Sequence, residues 1–164
     1  MGIEGTTSTS AAAYTSRSAT GPAGPRHTTC APFPPAGAAG PEQLRDLYAA
    51  ADVLVVPSIP TRTFREPWGL VVNEAMNRGL PVIASDAVGA AAGGLVRDGR
   101  NGLIVPAGDP GALAGAIGRL AAEVSLRARL GNAAAEDVRA FSHDAWARGF
   151  SAALATLGLG RVRW

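Results

Sequence analysis

Two kinds of hydrophobic pattern alternate along the chain from Pro41 onward. Over residues 41–51, Pro41 stands where a helix would start, and Leu44, Leu47 and Tyr48 recur at helical spacing. Residues 52–58 instead hold an unbroken apolar run, Val53-Leu54-Val55-Val56. A run of that length without alternation is what a parallel strand covered on both faces requires. Similar runs at residues 81–85 and 102–106 predict two more strands. Between the first two strands, a helix is predicted over residues 67–78, ending at Gly79, which fits the position after a helix end. Residues 86–94 read as a small-residue loop. Asp109-Pro110 opens another helix, with Leu113, Ile117, Leu120 and Val124 on one face. Helical stretches at about 125–141 and 143–157 follow, and the tail from Arg161 to Trp164 is too short to read.

Strand and helix thus alternate, joined by connections short enough for local crossovers only. The expected fold class is α/β, a Rossmann-like parallel sheet with helices on both faces. Three strands are visible where a sheet typically has about five or six. The pattern therefore looks like the second half of a domain.

Residues 1–40 differ in kind. Ser, Thr, Ala, Gly and Pro fill most of the segment, and Ile3 is its only branched aliphatic side chain. Burying so little cannot offset an ordering cost of roughly 1–2 kcal/mol per residue. The expected organisation is a low-complexity, disordered leader over 1–40 and a partial folded domain over 41–164. A tether or docking segment is the alternative for the leader.

Composition narrows the function. The 164-residue chain has 15 basic and 13 acidic side chains, a formal net charge of +2, and every basic residue is arginine. No Arg-rich block is interleaved with aromatics, which argues against nucleic acid as a partner. No apolar run reaches the roughly 18 residues of a membrane span, and none resembles a signal h-region. A single cysteine, Cys30, excludes a disulfide framework, and no Cys/His spacing suits zinc. A cytoplasmic location is expected.

The segment richest in chemistry is Glu66-Pro67-Trp68-Gly69-Leu70-Val71-Val72-Asn73-Glu74. With Pro67 at the first helical position, Glu66 would sit at or beside the N-cap. The amides of Gly69, Leu70 and Val71 would then point out of the helix N-terminus, a ready site for phosphate. Helical side chains lean toward the N-terminus, so Glu74 would be aimed at the same end, where a carboxylate can accept two hydroxyls of a ribose. The loop follows a strand's C-terminal end, where open α/β sheets bind ligands. The helix dipole alone favours acidic residues here by about 0.3–1 kcal/mol, so spacing by itself leaves Glu74 a solvated helix residue.

The flanking sequence adds to the motif. Leu47-Tyr48-Ala49-Ala50-Ala51-Asp52-Val53, Val56-Pro57-Ser58, and the run from Asn73 through Gly79-Leu80-Pro81 to Ser85 stand in order around it. Val88-Gly89 and the run from Leu95 through Arg97-Asp98-Gly99-Arg100-Asn101-Gly102 to Val105 follow. Together these resemble the C-terminal, nucleotide-sugar-binding domain of retaining glycosyltransferases of the GT-B type (glycosyl transferases group 1). Glu66 and Glu74 match that family's Glu-x7-Glu motif. The resemblance implies that Glu66, as catalytic and donor-binding residue, contacts hydroxyls of the donor sugar. It implies that Glu74 holds the nucleotide ribose, and that Gly69, Leu70 and Val71 offer amides to the diphosphate. The implied activity is hexosyltransferase-like: transfer of a sugar from a nucleoside-diphosphate sugar to an unknown acceptor, with retention of configuration and no metal or other cofactor.

The chain departs from the family in several places. It has no lysine and no recognisable counterpart before Pro41 of the strands that carry a diphosphate-gripping Arg and Lys, and the acceptor domain with its His is expected to be missing. His27 lies in the leader, and His143 stands between Ser142 and Asp144, which suggest helix capping. Arg62 and Arg65 could partly replace the missing charge, or could be solvated loop residues. Asp86 reads as turn capping or as a residue facing the pocket, and Trp68 and Trp146 as packing residues. The isolated chain is expected not to catalyse transfer alone. The alternatives are a binding module paired with a separate acceptor-domain chain, or an inactive remnant.

Overall fold

The computed structural model of the chain describes residues 12–14 and 40–158. Ten elements and one 3-10 turn follow in order. They are β1 (Ala12–Tyr14), α1 (Pro41–Ala50), β2 (Val53–Val56), α2 (Leu70–Asn77), β3 (Val82–Ser85), α3 (Gly89–Ala92), β4 (Gly102–Val105), α4 (Pro110–Ala122), α5 (Val124–Asp137), the 3-10 turn Val138–Phe141, and α6 (His143–Thr156). The strands lie in the order β1-β2-β3-β4. β2, β3 and β4 pair in parallel, with Val55 opposite Ile83 and Ile83 opposite Leu103.

Alternation of side chains along each strand builds two cores from one sheet. Leu54, Val56, Val82 and Ala84 pack on one face with Val72, Ala75 and Met76 of α2 and with Tyr48 of α1. Val53, Val55, Ile83, Leu103 and Val105 pack on the other with Ala116 and Leu120 of α4 and Leu126 and Leu130 of α5. The unbroken apolar runs are thereby explained, and helices do cover both faces as expected.

Three details depart from the sequence reading. Within the segment read as a leader, Ala12–Tyr14 pairs antiparallel with β2, Ala13 opposite Leu54. The outer edge of β2 offers unpaired backbone groups, and a short extended segment such as Ala12–Tyr14 can add to such an edge through backbone hydrogen bonds without any branched aliphatic side chain. The rest of that leader, with His27 and Cys30, and the tail 159–164 lie outside the described residues. Next, α4 ends at Ala122, so Val124 opens α5 and is exposed rather than joining the face of Leu113 and Ile117. Last, the predicted loop at 86–94 contains the single turn α3.

Other local expectations hold. Asp109 Oδ1 accepts the Ala112 amide at 2.9 Å and Ser142 Oγ the Ala145 amide at 3.2 Å, the N-caps of α4 and α6. Gly79 closes α2 at φ 71°, with its own amide on Met76 O and the Leu80 amide on Ala75 O. That pair of bonds satisfies the last carbonyls of the helix.

One buried carboxylate ties the turn before β4 to α5. The Asp137 side chain is 7% exposed. It accepts Arg100 Nε at 2.9 Å and Nη2 at 2.8 Å, pairs with Arg97, and accepts Asn101 Nδ2 at 2.8 Å. Fully buried Asn101 also donates to Leu95 O and accepts the Arg97 amide. Hydrogen bonds from Arg100 above all, and also from Arg97 and Asn101, outweigh desolvation and lower the Asp137 carboxyl from 3.8 to about 2. A folded-state value below the unfolded one means stability that is full above the unfolded value and lost as pH falls toward the folded one. Asp137→Ala is expected to cost about 2–3 kcal/mol, below the roughly 3–5 of a fully buried pair because both arginine heads are half exposed. Denaturant unfolding from neutral pH down to about 2 checks this. The variant should lose less stability on acidification than the parent, and identical acid limbs would contradict the assignment.

Candidate functional site

The segment from Glu66 to Gly69 leaves β2 and is not helical. Gly69 adopts φ 85° and ψ 69°, and α2 begins only at Leu70. This corrects the predicted start at residue 67. The left-handed conformation of Gly69 turns the chain sharply, so Pro67 is not the first helical residue and Glu66 lies three residues before the N-cap. The Val72 amide bonds Gly69 O at 2.9 Å, while the Leu70 and Val71 amides have no acceptor among the described residues.

Glu66 nonetheless comes to this helix end. A Cβ built on Gly69 would lie 3.8 Å from Glu66 Cγ, so the Glu66 stem runs beside the N-cap. Glu66 is half-buried, and its Oε2 is enclosed without a hydrogen-bond partner among the described residues. Buried side-chain oxygens are rarely left so, because desolvating one without a partner costs about 1–3 kcal/mol or more. Glu66, Gly69, Leu70 and Val71 are therefore gathered at one point.

Glu74 follows on the same helix, four residues after Leu70. It is the fifth residue of α2, is exposed, and its Oε2 accepts the Tyr48 hydroxyl of α1 at 2.7 Å. It lines a cleft of about 960 Å³ between α2 and α6, together with Leu70, Asn73, Asn77, Phe141 and Trp146. Glu66 is not part of that lining. The bond from Tyr48 ties the Glu74 carboxylate to α1 through one oxygen. Tyr48 is buried, and burial first, then the hydrogen bond and charge of Glu74, raise its phenol well above the ordinary value.

The remaining candidates divide. Arg62 and Arg65 are exposed on the loop after β2 and form no ion pair among the described residues. Asp86 Oδ1 accepts the Ala107 amide at 2.9 Å, so it links the segments that follow β3 and β4. Trp68 packs as expected, with its ring 5.8 Å from Phe141 and its Nε1 donating to Asn73 Oδ1 at 2.7 Å. Trp146 does not: it is 70% exposed and stacked on Phe150 at 5.3 Å. His143 is exposed and also borders the α2–α6 cleft.

Sequence reasoning missed Tyr48 and Asn73 as partners of site residues. Helical spacing marks Tyr48 only as core, and nothing local signals that its hydroxyl reaches a residue 26 positions away.

Residues 34–123 match the family described as Glycosyl transferases group 1. The chain belongs to that family. It is 44% identical over 108 residues to a D-inositol 3-phosphate glycosyltransferase of Streptomyces scabiei, covering 64% of this chain and 22% of that one. A Corynebacterium glutamicum protein of the same name is 41% identical over 110 residues, 65% of this chain and 24% of that one. The chain thus spans less than a quarter of the length of these curated relatives. Among solved structures, sucrose-phosphate synthase from Thermosynechococcus elongatus is similar at a TM-score of 0.59 and 40% identity, over 71% of this chain and 28% of that one. Anabaena HepE in complex with UDP-glucose is similar at 0.56 and 30% identity, over 70% and 30%. The α/β layers of this group 1 chain are accordingly part of a GT-B type glycosyltransferase fold.

The position of the Glu66 loop rests on α3. The Gly89 amide donates to Glu66 O at 3.3 Å and the Ala90 amide to Trp68 O at 2.9 Å. A Cβ at Gly89 would overlap the Pro67 carbonyl oxygen and approach Trp68 Cα to 2.9 Å. Gly89→Ala is expected to lower stability by about 1–3 kcal/mol. Backbone amide resonances should shift at Glu66, Trp68 and Gly69 while those of α4 and α5 stay in place. Shifts confined to α3 would contradict this dependence.

Proposed function

We propose that this chain carries the donor site of a retaining glycosyltransferase that takes its sugar from a nucleoside diphosphate, with UDP-glucose as the donor. The observation that carries this reading is the enclosed, partnerless Glu66 Oε2 beside the N-terminus of α2. An acceptor oxygen held this way suits a sugar hydroxyl, which can donate to it once water is excluded. The two unbonded amides of Leu70 and Val71 and the helix dipole suit the diphosphate beside that sugar. Charge that builds on the departing diphosphate would fall on those oriented donors, where stabilisation is strongest in a water-poor site. Glu74 has an oxygen to spare for the ribose, since Tyr48 occupies only Oε2. The likeness to HepE, whose structures contain UDP or UDP-glucose, supports the choice of base and sugar.

A second reading is a nucleotide-sugar module that works with a separate acceptor-domain chain. One observation favours it: Leu70 and Trp146, both lining the α2–α6 cleft, are 73% and 70% exposed, and Phe150 lies beside Trp146. Adjoining exposed apolar side chains of this size would suit a surface covered by another polypeptide.

Calorimetric titration with UDP and with UDP-glucose separates the two carboxylates. Glu74→Ala should weaken both ligands by about 1–3 kcal/mol. Glu66→Gln should weaken UDP-glucose and leave UDP unchanged, because only the sugar reaches Glu66. Equal losses for the two ligands in Glu66→Gln, or binding of neither by the folded parent chain, would contradict the proposal.

A further inference from the structure

We propose that Tyr48 is a positioning residue for nucleotide recognition, fixing the Glu74 carboxylate so that it receives a ribose diol. The inference deepens the donor-site reading above and rests on it. Glu74 is an exposed glutamate on a helix surface, and such a side chain samples many rotamers unless something holds it. What holds it is an unusual anchor. Tyr48 is 7% exposed, its ring packed in the core with Leu54, Val72 and Met76, and its hydroxyl emerges from that core to meet Glu74 Oε2 at 2.7 Å. The ring cannot turn away without opening the core, so the oxygen it grips is fixed in position as well.

The bond leaves the rest of the carboxylate available. Glu74 Oε1 accepts no hydrogen bond among the described residues, and the group borders the open α2–α6 cleft. A carboxylate held through one oxygen and open at the other is preorganised, and ligand binding then need not pay to order it. Burial and the neighbouring carboxylate keep the phenol protonated far above neutral pH, so Tyr48 remains a donor throughout the working range.

A merely structural role, linking α1 to α2, would look the same in an unliganded chain. The discriminating ligand pair is UDP and 2′,3′-dideoxyuridine diphosphate, which differ only in the diol. The full chain, Tyr48→Phe, Glu74→Gln and the double variant are titrated with both. Tyr48→Phe keeps the ring and the core and removes only the hydroxyl. It should reduce UDP affinity about three- to tenfold while leaving the dideoxy ligand unchanged, and it should add nothing in the Glu74→Gln background. Equal losses for both ligands, or no loss for either, would overturn the positioning role and leave the donor site standing. A parent chain that binds UDP without preferring the diol, and is unaffected by Glu74→Gln, would overturn the Glu74 assignment and this inference together.

Discussion

The candidate site depends on one close backbone approach, that of the 66–69 loop to the first turn of α3. Two amides from that turn meet Glu66 O and Trp68 O, and Gly89 lets the two backbones touch where any side chain would collide with Pro67. The left-handed turn at Gly69 then returns the chain into α2 with its first amides unbonded. Without this contact the Glu66 carboxylate would lie on a solvated loop, free to take water on every lone pair. With it, one oxygen is enclosed and has no hydrogen-bond partner among the described residues.

The sheet supplies the platform for that contact. Ser85, buried at the end of β3, donates to Ser58 O at 2.6 Å and joins the C-terminal ends of two neighbouring strands. From those ends leave both the Glu66 loop and the segment leading to α3. Val88 is fully buried in the same core as Val72 of α2, so α3 and α2 are seated on one face together. The Asp137 clamp holds the turn before β4 through Arg100 and Asn101. Packing thus fixes the framework, and backbone polar groups aim the site.

Much of the fold was legible in the sequence because its signals are local. Unbroken Val/Leu runs announce strands covered on both faces, and Asp109-Pro110, Ser142 and Gly79 announce helix ends that the structure shows bond by bond. The pairing of Ala12–Tyr14 was not legible, because edge addition uses backbone groups that every residue carries. At the site, the cluster of Glu66 with Gly69, Leu70 and Val71 could be read from spacing and family resemblance. The start of α2 could not, since Pro67 invites a helix that the φ of Gly69 forbids. The bond between Tyr48 and Glu74 joins elements separated by a whole strand, and no periodicity encodes a contact of that kind.

The central claim is that the enclosed oxygen of Glu66 awaits a hydroxyl of a bound sugar. A crystal structure of this chain with UDP-glucose tests it most directly. The account predicts a glucose hydroxyl within hydrogen-bond distance of Glu66 Oε2, and diphosphate oxygens facing the Leu70 and Val71 amides. A nucleotide sugar bound elsewhere, with Glu66 Oε2 still unpartnered, would contradict it.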